Sequence, residues 1–143
     1  MTVRSVLGSK GHQVISVSPD AKLSAAIKIL SERRIGAVMV MSGQKIDGIL
    51  SERDVVRNLH QHGPELLRRQ VGDIMTTVLV SCTPDDAVDD LSALMTNNRV
   101  RHVPVLENGR LVGIVSIGDV VKNRMEELQV EHEHLHAYIT QGG

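Results

Sequence analysis

The stretch GILSERD, residues 48–54, decides the fold, because GIVSIGD, residues 113–119, restates it at an offset of 65. Residues 14–58 laid over residues 79–123 at that offset align without a gap. Ser16, Pro19, Asp20, Arg34, Val38, Val40, Gly48, Ile49, Ser51, Asp54, Val55, Val56 and Asn58 all meet an identical residue. Self-similarity at a fixed period marks a duplicated unit of structure. Upstream, VRSVL (3–7) lines up with VGDIM (71–75) once the first copy is granted three extra residues. The division that follows is a first repeat over 1–62, a connector over 63–69, a second repeat over 70–127 and a polar helical tail over 128–143. Halves this small bury too little apolar surface alone, so the two are expected to pack on each other.

Each half carries the same order of elements. SPDAKLSAAIKILSERR (18–34) opens with Ser18 as a helix N-cap and Pro19 at the first helical position. Leu23, Ala26, Ile27 and Leu30 then recur on one helical face. TPDDAVDDLSALMTNNR (83–99) does the same with Thr83, Pro84, Val88, Leu91 and Met95. Two runs rich in β-branched residues follow in each copy, GAVMVM and IDGILS, then HVPVLE and LVGIVS. They are joined by SGQK and NGR, which are hairpin-turn sequences. A leading strand, VISV or VLVS, and a closing helix, ERDVVRNLHQH or GDVVKNRMEELQ, complete the unit. The predicted fold is a mixed α/β chain of two strand–helix–strand–strand–helix repeats, packed as a pseudo-twofold pair, with a C-terminal helical tail.

Composition narrows the function. The 143 residues are 41% hydrophobic and 23% charged, with a net charge of −1, so nothing points to a nucleic-acid or membrane partner. Tyr138 is the single aromatic residue, which predicts an aliphatic core and removes the aromatic platforms on which bases stack. Cys82 is the single cysteine; it forms no intrachain disulfide and reads as a buried strand thiol. Residues 1–17 lack the apolar core of a signal peptide, and no apolar run approaches the roughly 20 residues of a membrane span. The expectation is a cytoplasmic protein.

Ser51 with Asp54, and Ser116 with Asp119, have the spacing of a capping box. One reading stops at helix capping. A second uses the same geometry, since a helix N-terminus favours anions, a serine hydroxyl can donate to phosphate, and an aspartate can accept from the hydroxyls of a ribose. Gly48 and Gly113 would leave room for a ligand against the strand. Just before the apolar part of the second strand of the second copy stand Arg99, Arg101 and His102, which suit phosphate or else a solvated strand edge. The first copy has Gly36 and Ala37 opposite Arg101 and His102, small residues that suit the edge of a flat base. Ile35 or Val100 would cover the base face.

Together these features resemble a CBS-domain pair, the Bateman module named after cystathionine β-synthase. GILSERD, GIVSIGD, VRHVPV and the tandem element order carry the resemblance, over about residues 3–127. GILSERDVVRNL, NNRVRHVPV, GIVSIGDVV and LHAYITQGG are more narrowly similar to short stand-alone CBS-pair proteins of bacteria and of plant mitochondria. The resemblance implies a non-catalytic sensor for an adenosyl ligand, AMP foremost, with ADP, ATP, NAD(H) or S-adenosylmethionine as others. It implies a homodimer and a regulated partner protein; the alternative is a dimerisation scaffold with vestigial clefts. Two clefts are implied. One would set Ser116 and Asp119 on ribose and phosphate, Ile35, Gly36 and Ala37 around the base, and Arg101 and His102 near phosphate. The other would use Ser51 and Asp54, with Val100, Arg101 and His102 at the base and Arg53 at phosphate. The Asp119 cleft is the favoured one. Lys10 and Gly11, in the segment LGSKGHQV that carries the three-residue insertion, would lie at a cleft mouth, and Met39 stands where the family often has the proline seen at Pro104.

HEHLH (132–136) matches H-E-x-x-H, which on a helix would place His132 and His136 on one face as zinc ligands with Glu133 as base. Only seven residues follow and no substrate domain is evident, so a His-rich polar helix with at most adventitious metal is expected, and no enzyme.

Overall fold

The computed structural model describes residues 1–77 and 80–142. Val78 and Leu79, in the predicted leading strand of the second copy, lie outside the described residues. The first repeat contains α1 (Val3–Lys10), β1 (Ser16–Val17), α2 (Leu23–Arg33), β2 (Ala37–Ser42), β3 (Lys45–Ser51) and α3 (Glu52–His62). A 3-10 turn (Gly63–Arg68) leads to α4 (Val71–Ile74), α5 (Val88–Asn98), β4 (His102–Glu107), β5 (Arg110–Ser116) and α6 (Ile117–Gly142). β1 runs parallel to β2, and β2–β3 and β4–β5 are antiparallel hairpins. Both hairpins shift register at the same place, Val40/Met41 and Val105/Leu106, so even the bulge is duplicated. Asn108 and Gly109 both take positive φ, the two-residue turn predicted from NGR.

The helix starts depart from the sequence expectation. Ser18 and Pro19 do not begin α2. The Ala21 N–H donates to the Ser18 carbonyl in a turn, and the helix starts at Leu23. Lys22 is instead drawn into a bridge with Gln70, with the Val71 N–H donating to the Ala21 carbonyl and the Leu23 N–H to the Arg69 carbonyl. In the second copy Thr83 and Pro84 likewise precede a helix that begins at Val88, and Ala87 bridges Thr2. Pairing with a distant backbone segment outweighs the local capping signal in both places.

Those bridges reveal an exchange. Val3, Val6 and Leu7 of α1 are buried in the core of the second repeat, with Cys82, Val88, Leu91, Met95, Val103, Val105, Val115 and Val120. Val71 and Ile74 of α4 are buried in the core of the first, with Leu23, Ala26, Leu30, Val38, Val40, Leu50 and Leu66. Each leading helix therefore completes the opposite half, and each buried aliphatic side chain contributes about 1.5–3 kcal/mol to holding the halves together. Arg4 ties the same crossing at the surface through Asp85 and Glu107.

The exchange also explains Gly48 and Gly113. A Cβ on Gly113 would lie 2.6 Å from Leu7 Cδ2, and one on Gly48 would lie 2.6 Å from the Thr76 carbonyl oxygen. The expectation that these glycines clear space for a ligand is corrected: they admit the crossing segment. The polar tail is continuous with the closing helix of the second repeat, forming one helix from Ile117 to Gly142. Among the described residues no helix is long and apolar enough to cross a membrane.

Candidate functional site

Ser51 ends β3 and caps α3. Its Oγ accepts from the Asp54 N–H at 3.3 Å, and Asp54 Oδ2 accepts from the Ser51 N–H at 2.9 Å. Ser116 and Asp119 reproduce this at 3.2 and 2.8 Å. The capping box is thus real in both copies, and it aims both carboxylates from the same kind of strand-to-helix corner.

The two corners then diverge. Asp54 Oδ1 accepts a hydrogen bond from Thr76 Oγ1 at 2.8 Å, and Thr76 exchanges backbone bonds with Ile49 of β3. At the other corner, Lys10 Nζ lies 2.6 Å from Asp119 Oδ2 and donates to the Ile114 carbonyl at 2.8 Å. Ile114 is the counterpart of Ile49, so a lysine ammonium stands where the first corner has a neutral threonine and a backbone bridge. Burial raises the Asp119 carboxyl, and the bond from Lys10, the backbone bond from Ser116 and the lysine charge together outweigh it, leaving its pKa below the ordinary value.

A cleft of about 640 Å³ opens between the repeats on the Asp54 side. The first repeat lines it with Gly36, Ile49, Ser51, Glu52, Arg53, Asp54 and Arg57, and Thr76 closes one wall. The second repeat lines it with Arg99, Val100, Arg101, His102 and Ser116–Gly118. A hollow of about 110 Å³ adjoins it under Ile49, Thr76, Val100, His102 and Pro104. Four arginines, Arg53, Arg57, Arg99 and Arg101, line this space. Arg53 Nη1 donates to the Arg99 carbonyl at 3.3 Å, across the two repeats. Arg57, Arg99 and Arg101 make no ion pair among the described residues. Arg99 gains its position from a left-handed backbone turn (φ 54°) at the end of α5. With Glu52 and Asp54 as the acidic groups, the cleft has an excess of positive charge suited to phosphate, and Asp54 sits beside it as an acceptor for hydroxyls.

Of the residues expected from sequence, Ser51, Arg53, Asp54, Val100, Arg101, His102, Gly36 and Ser116 line this one cleft. Ile35, Ala37, Asp119, Lys10 and Gly11 do not. Ile35 packs against the first core and Ala37 is buried. Asp119 and Lys10 line a hollow of only about 40 Å³ with Val6, Ser9 and Lys122. Gly11, at φ 97°, terminates α1 in open space. Gly36 is covered by His102, since a Cβ there would lie 3.1 Å from both Cε1 and Nε2. The imidazole therefore fills the space in which a base was expected to meet residues 35–37. Burial pushes the His102 pKa below its ordinary value; Glu52 and Asp119 oppose this, while Lys10 and Arg101 add to it.

Thr76, Arg57 and Glu52 were not expected as site residues, whereas Arg99 reads in the sequence as suited to phosphate. Arg57 lies one helical turn beyond Arg53, a legible spacing. Thr76 carries no such signal, because the exchange of α4 delivers it. Elsewhere, Cys82 is buried, its thiol is pushed up to about 11 by burial, and its Sγ donates to the Pro104 carbonyl. Among the described residues no group of three or more histidine, cysteine or acidic side chains is placed to hold a metal ion, His132 and His136 included.

The family model of the CBS domain matches twice, over residues 3–61 and 71–126. The chain is 36% identical over 151 residues to the mitochondrial CBS domain-containing protein CBSX3 of Arabidopsis thaliana, covering 99% of this chain and 73% of that protein. A solved CBS-domain containing protein from Agrobacterium tumefaciens superposes with a TM-score of 0.85 at 42% identity, covering 87% of this chain and 99% of that one. A CBS domain pair solved in complex with 5′-methylthioadenosine and S-adenosyl-L-methionine shares the fold, with a TM-score of 0.78 at 23% identity over 89% of this chain and 98% of that one.

Proposed function

Because the chain belongs to the CBS domain family, with two copies in tandem, we propose that it is a non-catalytic regulatory module that binds an adenosyl nucleotide between its repeats. The observation that carries this is the cleft in which Ser51, Asp54 and Thr76 meet Arg53, Arg57, Arg99 and Arg101. The ribose hydroxyls bind at Asp54, the phosphate among the arginines, and the base against Val100 and the adjoining hollow. The adenosyl ligands of a structural neighbour support the nucleoside half of this reading. The guanidinium excess favours AMP, ADP, ATP or NAD(H) over a sulfonium ligand, whose positive charge it would repel. Asp54, which lines the large cleft where Asp119 lines only a hollow of about 40 Å³, is the primary site. A ligand there touches both repeats, so binding shifts their packing and a partner protein reads the shift.

Calorimetric titration with AMP, ADP, ATP and NADH tests this. Binding of at least one, weakened at least tenfold in Arg57→Ala and Arg99→Ala, is the expected result. Unchanged binding in both variants, or binding of none, refutes it. The arginines are chosen because Asp54→Ala also removes a helix cap.

A homodimer is supported by a separate observation. Val56 and Leu59 of α3 leave apolar side chains 67% and 47% exposed. Sedimentation at graded concentration tests it, with Val56→Glu expected to give monomers.

A further inference from the structure

α6 leaves the body after Glu127, and residues 128–140 are all exposed. This stretch is more than a polar tail. Val121, Met125, Leu128, His132, Leu135 and Ile139 follow one another by alternating steps of four and three, the heptad rhythm of a two-stranded seam. The five apolar members are 50–65% exposed. Val120 and Asn123, which face the core, lie about 130° around the helix from the seam, so the seam is directed away from the protein's own body. It continues beyond residue 126, where the match to the CBS domain ends.

We propose that this seam pairs, parallel and in register, with α6 of a second copy of the chain. Three observations select that occupant. A parallel pair sets His132 opposite its own counterpart, so the one polar layer meets a polar layer. An antiparallel pair would bury the imidazole against leucine without a partner. Parallel register also brings Glu131, on one flank of the seam, to His136 on the opposite flank of the second copy, an acceptor facing a donor. Finally, the tail beyond Arg124 carries Glu126, Glu127, Glu131 and Glu133 and no lysine or arginine, which repels anionic lipid and nucleic acid. The seam spans about 27 Å from Val121 to Ile139. Pairing over so short a length is weak, so its test traps the pair covalently.

Cys82 is the only native cysteine and is buried, which leaves the surface free for a reporter thiol. In the full chain, Leu135→Cys places a thiol in the seam, within disulfide reach of its counterpart in a parallel pair. Glu133→Cys places one on the outer face. Under mild oxidation, Leu135→Cys is expected to convert to a covalent dimer while Glu133→Cys stays monomeric on a non-reducing gel. Equal cross-linking of the two variants, or none from Leu135→Cys, overturns the proposal. A dimer held by the CBS repeats alone, with the tails apart, gives that second result, so the two modes of association are read separately.

Discussion

Lys10 and Asp119 stand 109 residues apart in sequence and 2.6 Å apart in the fold. The ammonium reaches Asp119 Oδ2 from the end of α1, the helix that the first repeat lends to the second. The pair is about a quarter exposed, at 32% for the lysine and 21% for the aspartate, so it is shielded enough to hold its geometry. It sets one corner of the protein apart from the other, where Asp54 has neutral partners only, Ser51 and Thr76, and no lysine.

Lys10→Ala is expected to free Asp119 and open a second site. Calorimetry should then report two nucleotides per chain where the unaltered protein takes one. A stoichiometry that stays at one shows that Lys10 is not what closes that corner. The same variant alters acid stability. The folded pKa of Asp119 lies below its ordinary value of 3.8, so its stabilising effect is complete above that value and is lost as pH falls through the lower folded one. Removing Lys10 narrows that difference, and thermal unfolding between neutral pH and pH 2 should fall less steeply in the variant.

His102 gives a second pH dependence at milder acidity. Its folded pKa is depressed below 6.5, chiefly by burial against Gly36. The unfolded chain therefore takes up a proton first, and stability present above about pH 6.5 declines as pH falls toward the folded value. His102→Gln should flatten the thermal unfolding curve between pH 7.5 and 5.5. The His102 ring resonance, followed by NMR, should titrate below 6.5; a midpoint at or above that value contradicts the burial argument.

The crossing helix and the strand glycine should be energetically coupled. Gly113→Ala pushes a Cβ into Leu7 and is expected to cost about 1–3 kcal/mol. Leu7→Ala alone empties a fully buried position and should cost about 2–5 kcal/mol. In the double variant the two costs should fall short of their sum, measured by urea unfolding. Gly48→Ala meets the Thr76 backbone carbonyl, which cannot rotate away, and should cost more than Gly113→Ala.

Thr76→Val removes the hydrogen bond to Asp54 Oδ1 at nearly constant volume. A bond to a charged group contributes about 1.5–3 kcal/mol, and a comparable loss of stability is expected. Nucleotide affinity should change as well, because Thr76 and Asp54 both line the cleft. Thermal shift with and without ligand separates the two effects.

Much of this architecture was legible in the sequence because its determinants are local. The hairpin turn at Asn108 and Gly109, the β-branched runs and the capping boxes at Ser51 and Ser116 each rest on residues a few positions apart. The helix starts at Ser18 and Thr83 misled because those signals are local too, and the actual start is set by backbone pairing with residues 70 and 2. Arg101 and His102 were legible as site residues from their place at the start of β4, and His102 both lines the cleft and covers Gly36, a contact the sequence did not signal. Thr76 had no sequence signal, since the residue it serves, Asp54, lies in the other repeat.

The sequence by itself determined the duplication, the element order within each half and the carboxylate at each strand-to-helix corner, because repeat spacing and capping are short-range properties of the chain. Tertiary structure alone decided which half each leading helix completes and which corner remains open. Apolar side chains at Val3, Val6 and Leu7 need a core but do not name one; only packing assigns them to the second repeat. That assignment carries Lys10 to Asp119 and Thr76 to Asp54, and so makes two corners of nearly the same sequence unequal.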